Sequence, residues 1–128
     1  MELSIRLPRD LDRITAFRHE LDQALGDFGV GDQGRADVGL VLSEVCTNVV
    51  SHVARGDQYD VVARADWLEC SIEVRPDGPT KTGAPNILAE SGRALQIVTA
   101  VASRVEVDDG ERPGVLRRVV VTFAGAAP

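Results

Sequence analysis

The stretch SEVCTNVVSH, residues 43–52, places a carboxylate, an amide and an imidazole at every fourth position, as Glu44, Asn48 and His52. On a helix these three fall at about 0°, 40° and 80° of the wheel, with Thr47 and Ser51 beside them. Val38, Leu42, Val45, Cys46, Val49 and Val53 gather on another arc, which is the expected core stripe. A solvated helix face is normally filled with Lys, Arg and Gln. This one has none of them along the row and is flanked by Leu40 and Val41, so a partly enclosed polar pocket is the better reading. Asn is also a poor helix former, which suggests that its side chain is needed. Chemically, a carboxylate and an amide oxygen one turn apart can reach an oxygen-liganded cation such as Mg²⁺ and its waters, since Mg²⁺ needs only one or two protein groups when phosphates supply the rest. The carboxylate can also take a proton from an attacking hydroxyl or water.

The elements that must position this row follow from periodicity. ELSIRL alternates and ends at Pro8, giving a first strand. Leu11, Ile14, Phe17, Leu21, Ala24, Leu25 and Phe28 stand at helical spacing, closed by the glycines of GDFGVG. The helix bearing the polar row is expected from about Arg35 to Ala54. QYDVVARA and LECSIEV read as two strands joined by a turn near Asp66. RPDGPTKTGAPNILAESG, rich in Pro, Gly and Thr, reads as a long loop of the kind that is usually functional. A short helix begins near Gly92, with Leu95, Val98 and Val101 as its buried edge. RVEVDD and VLRRVVVTF then form an antiparallel hairpin around GERPG. This order predicts a helical layer on one face of a mixed sheet.

The totals narrow the function classes. The chain has 128 residues, 44% hydrophobic and 27% charged, which fits one globular domain. Fourteen Lys plus Arg stand against 20 Asp plus Glu, a net charge of −6, which argues against a nucleic-acid backbone or an anionic membrane as the main partner. No apolar run approaches the roughly 20 residues that span a bilayer. MELSIRLPRD carries charges where a secretory signal needs an apolar stretch, so the cytoplasm is the expected compartment. Cys46 and Cys70 lack a CxxC or Cys/His neighbourhood and read as buried thiols.

Taken together, the motifs resemble a known family. SEVCTNVVSH, VRPDGP and ESGRALQIV are similar to the N box and the two glycine boxes of GHKL-type ATP-binding domains. The length and element order are similar to bacterial anti-sigma factors with serine protein kinase activity. The resemblance implies an α+β fold: a two-layer α/β sandwich of the Bergerat type, with a mixed, mostly antiparallel sheet and helices on one face. Residues 1–124 would form the single domain and 125–128 a flexible tail. ATP would lie between the Glu44 helix and the loop after Val74. Asn48 would hold Mg²⁺ and Glu44 would activate the attacking hydroxyl or water. His52, Asp77, Gly78, Gly92, Arg93 and Thr122 would line the nucleotide, with Gly92 and Arg93 near the phosphates and Thr122 beneath adenine. The partners implied are an alternative sigma factor and an anti-sigma antagonist protein phosphorylated on Ser or Thr, with a homodimer through the first strand and helix also implied.

The chain departs from the family pattern in three places. Pro76 stands where the first glycine box has the aspartate that recognises adenine, Thr80 stands in a glycine slot, and so does Ala94 in the second box. Asp77 is adjacent to Pro76, but strand parity points it to the opposite face unless the strand bulges. A pocket without its amine acceptor loses discrimination. A second reading therefore stands beside the kinase: a protein-binding module of the same fold with weak or lost ATP binding.

Overall fold

A computed structural model describes residues 1–8, 11–52, 58–76, 96–107 and 116–123. Its elements are β1 (Glu2–Pro8), α1 (Leu11–Phe28), α2 (Asp32–His52), β2 (Gln58–Ala65), β3 (Glu69–Pro76), β4 (Arg104–Val107) and β5 (Leu116–Thr122). Residues 96–101 form a further short helical segment. The strands make one sheet of order β1-β2-β3-β5-β4, and every described pairing is antiparallel. The expected two-layer α+β architecture is thus present, and the parallel component of a mixed sheet is not found among the described residues.

Alternation sets the sheet's two faces. Val61, Ala63, Ile72, Val74, Val119 and Val121 are buried on the helix side. The opposite face carries ion pairs such as Arg6–Asp60, Arg64–Glu2 and Arg118–Glu106, exposed contacts worth roughly 0–1 kcal/mol each. Above the buried face, α1 packs on β1 and on α2, while α2 packs on β3 and β5. Ile14, Phe17, Leu21 and Leu25 form the apolar stripe of α1, each buried side chain contributing about 1.5–3 kcal/mol.

The turn between the helices is fixed by its backbone. Val30 N–H donates to Leu25 O (2.9 Å) and Gly29 N–H to Gly26 O (3.1 Å), a Schellman closure that needs a left-handed residue at Gly29, whose φ is +108°. This is the glycine stop expected from GDFGVG. The second helix then begins at Asp32, three residues before the expected start, because the sharp closure leaves only Gly29, Val30 and Gly31 between the helices. Val38, Leu42, Val45, Cys46 and Val49 are buried as the wheel required. Val41, read as a flank of the polar row, is buried too, because α2 is covered by α1 as well as by the sheet. Val53, residues 77–95, which hold most of the expected long loop and the expected start of the short helix, and the expected GERPG turn lie outside the described residues.

Candidate functional site

Glu44 and Asn48 stand one turn apart on α2, Glu44 half-buried and Asn48 only 2% exposed. Apart from the Tyr59 hydroxyl and the two thiols, Asn48 is the one buried polar side chain among the described residues, so the expected enclosure of the row holds most firmly there. Its Oδ1 accepts a hydrogen bond from Leu116 N–H at 2.8 Å, across 68 positions of sequence.

The sheet explains why that N–H needs a side chain. Pairing of β3 with β5 runs from Glu69↔Thr122 to Glu73↔Arg118 and stops, while β2 follows β3 as far as Tyr59↔Pro76. Leu116, at the start of β5, has no partner on β3 and keeps only its β4 neighbour, Val107. A buried backbone donor must be satisfied, and Asn48 does this. The amide therefore has a structural duty that the spacing of the row did not reveal. A carbonyl oxygen has two lone pairs, so one hydrogen bond does not by itself exhaust an amide oxygen's acceptor capacity.

Other expected members of the site separate. Thr122 pairs with Glu69 on the charged face of the sheet, is exposed, and donates to Ser103 Oγ at 2.8 Å. It lies on the face turned away from α2, so it cannot line a pocket shared with Glu44 and Asn48; Val121 and Phe123 point to the helix side instead. The backbone of His52 closes α2, but its side chain lies outside the described residues, as do Asp77, Gly78, Gly92 and Arg93. The register of β3 runs unshifted to Pro76, so no bulge occurs within the strand up to that residue.

Beneath α2, the Cys46 thiol and the Tyr59 hydroxyl face each other, both fully buried. The hydroxyl has no hydrogen bond of ordinary geometry there, so the contact is a close polar approach rather than a bond. Burial pushes the Cys46 thiol up to about 12, partly offset by Tyr59, and raises the Tyr59 hydroxyl as well. Burial alone pushes Cys70 up to about 12. Thiols held this firmly neutral are not nucleophiles, in line with the buried reading of both cysteines.

The donor set can be tested against a cation. Among the described residues no group of three or more His, Cys, Asp or Glu gathers to hold a metal. A nucleotide-borne Mg²⁺ asks for only one or two protein oxygens, and Glu44 and Asn48 are of the right kind. No helix among the described residues is long and apolar enough to cross a membrane.

A comparison with curated proteins returned no match. Residues 7–121 match the family model of the histidine kinase-like ATPase domain, from β1 through all but the last residue of β5. With the antiparallel five-stranded sheet, the two covering helices and the Glu44–Asn48 row in place, the chain belongs to the histidine kinase-like ATPase family.

Proposed function

We propose that this chain is an anti-sigma regulatory factor that binds an alternative sigma factor and uses ATP and Mg²⁺ to phosphorylate an anti-sigma antagonist on Ser or Thr. The observation that carries this reading is half-buried Glu44 one turn from buried Asn48 on α2, within a chain of the histidine kinase-like ATPase family. In the proposed reaction the γ-phosphoryl group passes from ATP to the antagonist's hydroxyl oxygen. ADP leaves, and Glu44 accepts the hydroxyl proton. Asn48 would hold the nucleotide's Mg²⁺ through its oxygen, where the ion would supply charge neutralisation at the phosphates.

Two observations favour a second reading, a protein-binding module with weak or lost ATP binding. Asn48 Oδ1 already serves Leu116 N–H, and Pro76 stands in regular register where the family's adenine-recognising aspartate is expected. Incubation with γ-labelled ATP, Mg²⁺ and a candidate antagonist separates the two. The kinase reading expects label on an antagonist Ser or Thr, lost when Mg²⁺ is chelated. Binding of sigma factor without any transfer supports the module. Failure to bind either protein sinks both.

A further inference from the structure

A second concavity lies far from the polar row. The α1–α2 turn, the first turn of α2, the β2–β3 turn and Phe123 enclose a cleft of about 370 Å³. Its residues Asp32 to Gly34 sit roughly 16 Å along α2 from Glu44, at 1.5 Å rise per residue. The wall is aromatic: the rings of Phe28 and Trp67 stack at 4.8 Å with planes 19° apart. Trp67 is nevertheless 75% exposed, and Leu68 beside it is 50% exposed. An exposed ring already held by a neighbour loses little freedom when a partner covers it, which is the property of an anchor residue.

The charge of the cleft is one-sided. Among the described residues its lining holds two carboxylates, Asp32 and Asp66, and no cation. Asp32 is already paired with Arg35 at 2.7 Å. Asp66 is the more available charge. Its Oδ1 accepts from Leu68 N–H and Glu69 N–H at 2.8 and 2.9 Å, and among the described residues it has no side-chain ion pair, although the N-terminal ammonium of Met1 acts on it electrostatically. Those backbone bonds also hold its carboxyl below the usual range, so it stays ionised at neutral pH.

From this arrangement we infer that the cleft docks an arginine-bearing apolar segment of a protein partner, with the guanidinium over Trp67 and bonded to Asp66. Arginine is the side chain that both stacks on an indole and pairs with a carboxylate. Val30 and Phe123 line the space for an adjoining apolar side chain. Leu68, next to Trp67 in sequence and half exposed, adds apolar surface that a partner segment would cover and a small cation would not. The site does not depend on nucleotide binding at Glu44 and Asn48.

Trp67 is the sole tryptophan, so its fluorescence reports on the cleft directly. The probes are the capped tripeptide Leu-Arg-Leu, the same peptide with neutral citrulline for arginine, and tetramethylammonium chloride. The arginine peptide should give a saturable change with a dissociation constant of roughly millimolar order. Citrulline should weaken it about three- to tenfold, and Asp66→Asn, which keeps the turn's acceptor oxygen, by a similar factor. Raising the salt concentration should weaken the arginine peptide alone. Equal responses to arginine and citrulline would overturn the inference even if Asp66→Asn proved misfolded by circular dichroism. An equal response to tetramethylammonium, or no saturable change with any probe, would also overturn it.

Discussion

Replacing Asn48 with alanine removes the acceptor of the Leu116 N–H, which is buried and has no partner strand on the β3 side. The space left is that of a small amide, and nothing apolar fills it in a way that satisfies the donor. Leaving a buried donor unpaired costs about 1–3 kcal/mol, so Asn48→Ala should lose about 2 kcal/mol in the absence of any nucleotide. With a urea m-value of roughly 2 kcal/mol/M, the unfolding midpoint should fall by about 1 M at unchanged slope. Equilibrium urea unfolding followed by circular dichroism, without ATP or Mg²⁺, reads this directly. A shift below about 0.2 M would refute the structural duty assigned to Asn48, because even a modest net hydrogen bond is worth more. The stability effect must be known before any binding defect of the variant is interpreted. Loss of nucleotide affinity in a destabilised protein says less than the same loss in an intact one.

Glu44→Ala should behave differently: little change in urea midpoint, since the side chain is half-buried, but phosphoryl transfer slower by roughly 10²–10⁴-fold under the proposed kinase reading. Unchanged transfer removes Glu44 as the base. Gly34→Ala should cost about 1–3 kcal/mol, because the new Cβ would sit 2.8 Å from Phe123 Cδ1 and 2.9 Å from Val30 Cγ1. Gly31→Ala, with nothing within 4 Å, is the matched control, and thermal unfolding should leave it close to wild type. Stability should also decline in alkali. Cys46 and Cys70 ionise near 9 when unfolded but only at about 12 when folded. The folded state therefore retains protons that the unfolded state has lost, and each thiol removes up to about 1.4 kcal/mol per pH unit between those limits. Urea midpoints at pH 8 and about 10.5 test this, and a flat profile in wild type contradicts it.

Much of the fold was legible because its signals are local. The apolar stripe of α1 and the alternation of β1, β2 and β3 follow from side-chain direction alone, and Gly29 marks the helix stop by its backbone freedom. What failed depended on partners distant in sequence. Val41 was misread because covering by α1 widens the apolar arc of α2. Thr122 was placed on the wrong face because three successive valines, all buried, conceal which parity of β5 faces the helices. The buried state of Asn48 was anticipated from its apolar surroundings, but its bond to a strand end 68 residues away left no trace in the local pattern. Trp67 passed unnoticed in the turn, and Leu68, read as the first residue of the strand LECSIEV, stands exposed just ahead of β3, although two large apolar residues beside Asp66 are an unusual turn composition.

The central claim is that the row on α2 serves a nucleotide, and calorimetric titration of the protein with ATP, with and without Mg²⁺, tests it most directly. The account predicts saturable binding that strengthens with Mg²⁺ and largely survives in Glu44→Ala. It should be lost in Asn48→Ala under conditions where that variant is still folded. Absence of ATP binding to the wild type at every Mg²⁺ concentration would contradict the claim, and so would undiminished Mg²⁺-dependent binding in folded Asn48→Ala.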